Sequence, residues 1–227
     1  MSKEKTDPVQ KQPFCETAER DALYKIIESR RDVRGQFTSD PIDEKALRRI
    51  LGAAHHAPSV GFMQPWNFIL IRATETKKLV KEAFLKANNK AVPLFPEQKR
   101  ELYASLKLEG ILEAPLNICV TCDRERSGPV VIGRTSIPEM DIYSSVCAVQ
   151  NLWLAARAEN IGVGWVSIFD DKELRKILEL PKHVVPVAYL CLGHVTHFFA
   201  QPELEQVGWL PRLELDSLIY NEHWGER

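Results

Sequence analysis

Residues 28–37 read "ESRRDVRGQF", which sets Arg30, Arg31 and Arg34 within five positions around Asp32 and Val33. Guanidinium forks donate paired, charge-assisted hydrogen bonds, a geometry that suits a phosphate. If the turn stays helical, Arg30 and Arg34 share a side. The plainer alternative is a solvated basic turn neutralised by Asp32 and Glu28. Neither glycine-rich phosphate cradle, G-x-x-x-x-G-K-[ST] or G-x-G-x-x-G after a strand, occurs in the chain. Asp32 is then either a local ion-pair partner or helix cap, or a carboxylate with chemistry to perform as a general base.

Two other stretches could meet a ligand. "APSVGFMQPWNF", residues 57–68, joins a helix pattern to a strand pattern. Its backbone amides, with Ser59 and Gln64, could hydrogen-bond the polar edge of a heterocycle, or it could be an ordinary corner anchored by Trp66. "IGVGWVS", residues 161–167, brings Gly162 and Gly164 to a strand entry. Such glycines mark close approach of backbone to a flat ligand, or a bulge. His55 and His56 adjoin at a helix end, but no metal-ligand spacing occurs and no metal is expected. G-x-S-x-G is absent. Cys119 and Cys122 form a C-x-x-C inside a buried strand pattern, so core cysteines are expected rather than a redox or zinc pair.

The elements that must position these residues follow from periodicity. A helix over 17–29 leads into the arginines, and a second, with acids in its first turn, runs through "SDPIDEKALRRILGAAHH". "NFILIRA" reads as a strand, residues 75–90 as a helix, and "LNICVTC" as a strand. Residues 88–114 form a loose insertion, a candidate lid or a plain surface excursion. A helix over about 138–160 is apolar nearly all round and needs cover on every side, for which a second subunit is a natural source. "IGVGWVSIF" and "VPVAYLCLGHV" are strands flanking the helix "DKELRKILEL". The expectation is a three-layered α/β or α+β domain over 17–227, preceded by a mobile arm over 1–16.

A net charge of -1 gives no bulk attraction to nucleic acid or to anionic membrane. The longest apolar tract is interrupted by Gln150, Asn151 and Arg157, which predicts a buried helix and not a membrane span. The polar opening "MSKEKTDPVQKQPF" and five cysteines, an odd number, lead to the expectation of a cytoplasmic protein with reduced thiols.

Together these motifs resemble the nitroreductase family of flavin mononucleotide (FMN) proteins, from about Ala18 to Trp224. The R-R-S-x-R turn of that family is matched by Arg30, Arg31, Asp32, Val33 and Arg34. Its A-P-S…Q-P-W loop is matched by residues 57–59 and 64–66. Its long helix and G-x-G strand are matched by Gly162 and Gly164, and its late basic residue by Arg212. The resemblance implies an α+β fold with a central, mainly antiparallel sheet flanked by helices. It also implies an intertwined homodimer whose two FMN sites each draw on both chains. It puts Arg30, Arg31, Arg34 and Arg212 on the ribityl phosphate. Asp32, Val33, His55, Pro58, Ser59, Gly61, Gln64, Ser167 and Ile168 would complete the site.

Departures from the family point to a branch. Asp32 stands where the family has Ser, Phe62 where it has Asn, and Ser167 ends the G-x-G strand. This pattern is similar to the branch that consumes reduced FMN with molecular oxygen and fragments it to 5,6-dimethylbenzimidazole and erythrose 4-phosphate for cobalamin biosynthesis. There Asp32 would act as general base at the first ribityl carbon, ionised by its arginine neighbours, and Ser167 would hydrogen-bond the flavin. Reduced FMN would come from a separate flavin reductase. The alternatives are an NAD(P)H-dependent nitro or quinone reductase, a dehalogenase of the same fold, and a flavin-binding protein without turnover.

Overall fold

The structure is a computed structural model that describes residues 12–226. Most of the expected N-terminal arm, residues 1–11, lies outside the described residues. Helices α1 (Thr17–Ser29) and α2 (Glu44–His55) precede strand β1 (Trp66–Ile71). Then come α3 (Thr74–Ala91), α4 (Glu97–Ser105), β2 (Leu116–Asp123), α5 (Met140–Ala158), β3 (Gly162–Val166), α6 (Asp171–Ile177) and β4 (Val184–Gly193). A short α7 (Glu203–Gln206) follows in the C-terminal segment. The strands form one sheet in the order β1-β2-β4-β3, and every neighbouring pair is antiparallel.

Successive side chains of a strand point to opposite faces, and both faces here are covered. On one face Leu116, Ile118, Val120, Leu190 and Leu192 meet α2 and α5 through Ile50, Ala54, Ala148, Leu152 and Ala156. On the other, Cys119, Tyr189, Cys191 and Val166 meet Val80 and Phe84 of α3, Leu174 of α6 and the loop residue Ile111. A strand buried on both sides loses its alternation, which is why "LNICVTCD" reads as an apolar run. The layers are helices, sheet, helices.

The predicted elements form with small shifts at their ends. The apolar helix α5 is covered on one side only: Tyr143 keeps 53% and Val146 38% of their exposure. Helix α1 buries nothing, leaving Leu23, Tyr24 and Ile27 open. The charge at the base of α5 is compensated: Asp141, fully buried, pairs with Arg124 at 2.8 Å and Arg134 at 3.4 Å.

The insertion over 88–114 divides in two. Its end belongs to the core, with Ile111 and Ala114 fully buried and Glu109 accepting from Lys81, Lys107 and the Ile111 amide. Its first half carries α4, where Phe95 and Tyr103 hold the ring of Trp209 at 5.5 and 6.2 Å and Lys99 lies 4.9 Å from it. The insertion therefore grips the C-terminal segment.

Candidate functional site

Helix α1 ends at Ser29, and Arg30 is already extended (φ -65°, ψ 135°). The shared helical side expected for Arg30 and Arg34 is therefore not what brings them together. Extended backbone sends alternate side chains to opposite sides. Val33 turns into the core at 2% exposure, and its amide donates to the Val163 carbonyl. Asp32 forms a parallel bridge to Val163, so the arginine turn lies along the outer edge of β3. This explains both glycines of the G-x-G strand. A Cβ on Gly164 would stand 2.0 Å from the Val33 carbonyl oxygen, and one on Gly162 would meet Val195 at 2.4 Å and Val33 at 3.1 Å. The close approach is by the chain itself, through backbone at Gly164 and valine side chains at Gly162.

Helix α5 fixes the turn from below. Trp153 donates to the Arg31 carbonyl at 3.3 Å and Arg157 to the Ser29 carbonyl at 3.2 Å. The Arg30 guanidinium lies 4.8 Å from the centre of the Trp153 ring. Arg31 ties the turn to the C-terminal segment, donating to the carbonyls of Glu28, Arg30 and Ala200. That segment then walls a pocket of about 140 Å³ lined by Arg30, Arg31, Asp32, Arg34 and Arg212 with Pro202, Glu203 and Leu204. The candidate lid over 88–114 does not line it; its contact is with Trp209, further along the C-terminal segment.

Four arginines thus share a pocket with two carboxylates. Arg34 donates to Asp32 at 2.7 Å and lies 3.6 Å from Glu203. Arg30 and Arg212 are close enough to repel. Arg31 Nε is buried with no hydrogen-bond partner among the described residues. An orphaned buried donor and like charges held together are costly unless an anion joins them. These residues fit a phosphate group.

Asp32 is held on both oxygens: Oδ1 accepts from the Trp165 amide at 3.0 Å and Oδ2 from Arg34. Burial pushes its pKa above the ordinary 3.8, while Arg34, the Trp165 amide and Arg30 pull the other way without cancelling it. The side chain still keeps 30% of its surface, so crowding by protein atoms, and not full exclusion from water, is the cause. The expected ordering of effects is corrected here: burial outweighs the arginines.

The other predicted site residues lie elsewhere. Ser167, just past β3, is exposed in a second hollow with Trp165, Phe169 and Tyr189, and Ile168 leans on the core. From Val163 to Ser167 the chain covers about 13 Å along the strand. His55 and Gln64 line a larger cavity of about 830 Å³ with Arg48, Trp66 and Arg126, and Pro58 and Ser59 a fourth pocket with Tyr143 and Cys147. This loop enters β1, whereas the arginine turn flanks β3, so the two stand at opposite edges of the sheet. Three strand spacings, about 14 Å, separate those edges. A single chain does not bring them together. Much of the loop's polarity is also engaged internally: Ser59 accepts from the Gln64 amide, Gln64 donates to the Phe62 carbonyl, and Trp66 donates to His55.

Glu203, Pro202 and Leu204 were missed by sequence reasoning, as were the supports Trp153 and Arg157. No local signal marks the first three, since they arrive by a chain reversal some 170 residues after the turn. Trp153 and Arg157 lie four apart on one helix, and of the two only Arg157 stood out in the sequence, as an interruption of the apolar tract.

The profile of the nitroreductase family matches residues 27–194. This chain belongs to the nitroreductase family. Family membership supports a flavin as the ligand of this protein. The chain is 42% identical over 200 residues to the 5,6-dimethylbenzimidazole synthase of Rhodospirillum rubrum, covering 88% of this chain and 94% of that one. It is 38% identical over 198 residues to the protein of the same name from Rhodobacter capsulatus, covering 87% and 95%. Among solved structures of the nitroreductase fold, iodotyrosine deiodinase bound to FMN and 3-iodo-L-tyrosine superposes with a TM-score of 0.69 at 20% identity, over 88% of this chain and 98% of that one.

Proposed function

We propose that this nitroreductase-family protein fragments reduced FMN, with molecular oxygen, to 5,6-dimethylbenzimidazole, leaving erythrose 4-phosphate. The observation that carries this reading is the 42% identity, over nearly the whole of both chains, to a synthase of that product. The arginine pocket adds a chemical reason: a carboxylate stands among the groups suited to the phosphate.

Reduced FMN, when bound, supplies the dimethylated ring, the carbon that closes the imidazole, and the electrons that dioxygen accepts. The chain's part is to hold and to deprotonate. Arg30, Arg31, Arg34 and Arg212 hold the phosphate, and Asp32, fixed by Arg34 and the Trp165 amide, takes a proton from the first ribityl carbon. A pKa raised by burial makes Asp32 a stronger base than an exposed aspartate beside three arginines would be. The Ser167 hydroxyl, further along the same strand edge, meets the flavin ring. The loop over 57–64 reaches that ring from a second chain, so that the enzyme works as a homodimer. The open faces of α1 and α5 support that pairing. A separate reductase supplies the reduced flavin.

The test is direct. Purified protein is mixed with chemically reduced FMN, air is admitted, and the mixture is separated and weighed by mass spectrometry. Dimethylbenzimidazole is expected in proportion to flavin lost. Flavin that survives repeated aerobic cycles, or brisk NAD(P)H oxidation with flavin retained, would overturn the proposal in favour of a binding protein or a conventional reductase.

A further inference from the structure

The arginine pocket holds one group that a pocket built only for tight phosphate binding should lack. Glu203, from the C-terminal segment, sets its carboxylate 3.6 Å from Arg34 Nη1, while Asp32 takes Nη2 at 2.7 Å. Arg34 is only 11% exposed, so both acids act on a guanidinium poorly screened by water. Glu203 Oε2 is itself buried without a hydrogen-bond partner among the described residues. Glu203 opens the four-residue α7, but no side chain caps that helix and this carboxylate is turned to Arg34. It lowers the positive charge available to an anion. With both carboxylates ionised, four guanidinium groups are left with a surplus of two positive charges, which matches a phosphate monoester near neutral pH.

We infer that Glu203 is a positioning and specificity residue that weakens the pocket's hold on phosphate so that the phosphorylated product can leave. The inference rests on the proposed reaction, in which substrate and sugar remnant carry the same phosphate. A group that binds both equally well lowers the substrate requirement but traps the product, and product release then limits turnover. Glu203 competes with the ligand for Arg34: a phosphate entering must draw Arg34 away from the carboxylate, and one leaving is replaced by it. The same competition sets a ceiling on ligand charge, admitting a terminal monoester in preference to more highly charged anions such as pyrophosphate.

Binding measurements test this without turnover. Oxidised FMN, inorganic phosphate, pyrophosphate and riboflavin are titrated into the parent chain, Glu203→Gln and Glu203→Asp. Glu203→Gln should bind FMN and phosphate about tenfold more tightly, a coupling of ordinary size, and should gain still more for pyrophosphate. Riboflavin, which has no phosphate, should bind as before. Glu203→Asp, which keeps the charge, should stay near the parent and so separates charge from shape. In turnover, added erythrose 4-phosphate should inhibit the Gln variant more strongly. Unchanged or weaker phosphate binding by Glu203→Gln, or a gain for riboflavin equal to that for FMN, would overturn the inference. Absence of benzimidazole from the parent chain would overturn the proposed function and the product-release role with it, whereas the phosphate titrations decide separately whether Glu203 weakens the pocket's hold on anions.

Discussion

The arginine turn and the loop over 57–66 lie on opposite edges of the same sheet and are built on opposite principles. The turn is fully supported within one chain: Trp153 and Arg157 hold it from below, Val163 pairs with it, and Ala200 ties it to the C-terminal segment. The loop is strained and open. Gly61, Phe62 and Gln64 all have positive φ, 57°, 54° and 47°, and Phe62 is 81% exposed. A bulky residue in the left-handed region is rare and costs on the order of 1 kcal/mol or more, so something else must hold it there. The difference teaches that the arginine pocket is self-sufficient within one chain, whereas the loop is left open; in the proposed reading these are the phosphate end and the ring end of one site, the second completed by a partner chain.

Substitutions at the two regions should therefore behave differently. The largest effect is expected at Asp32→Asn, which should cut benzimidazole formation by about 10²–10⁴-fold while FMN binding is kept or tightens, by about tenfold at most, as a charge opposing the phosphate is removed; quenched-flow product analysis beside a flavin titration checks both. Next, Arg30→Gln or Arg212→Gln should each weaken FMN binding by about 10–100-fold, the ordinary worth of one hydrogen bond to a charged group, and leave riboflavin untouched.

Complementation then tests whether the regions belong to different chains. Gly61→Ala cannot keep the native loop, because the added Cβ would lie 2.5 Å from Val131 at a φ of 57°. Mixed dimers of a Gly61→Ala chain and an Asp32→Asn chain would hold one site with both defects and one with neither. Activity should reappear on mixing, to about half the parent level per mixed dimer. No recovery would place both regions in one chain's site.

Smaller effects probe the electrostatics. The folded-state pKa of Asp32 is raised above 3.8, so the native state holds the proton more tightly than the unfolded one. Stability from this group is complete below that value and falls as pH rises through the folded pKa. Asp32→Asn should accordingly gain in melting temperature relative to the parent as pH rises from the acid side. Smallest of all, Cys119 and Cys122 are pushed up by burial to about 12 and about 11, so neither should alkylate in the native protein at neutral pH. Mass spectrometry after iodoacetamide treatment checks this.

Much of the contrast was legible in the sequence, and its limits have physical causes. The helices and strands followed from hydrophobic period and capping residues, which act over a few positions. Arg30, Arg31, Asp32 and Arg34 were legible because their types sit together in sequence. Gly162 and Gly164 were legible as a close approach but not as an approach by Val33, because that contact spans some 130 residues. Glu203 and Trp209 carry no local signature at all, and their roles arise only when the C-terminal segment folds back over the turn. Val33 was grouped with the ligand contacts through the family resemblance, and extended backbone alternation turns its side chain inward.

One measurement bears most directly on the claim that this chain consumes its flavin at a carbon within reach of Asp32. Reduced FMN carrying ¹³C at the first ribityl carbon is exposed to air on the protein in a single turnover. The expected product is dimethylbenzimidazole with the label in its imidazole carbon, formed by the parent and lost in Asp32→Asn. Labelled FMN recovered intact from the parent chain, or unlabelled benzimidazole, would contradict it.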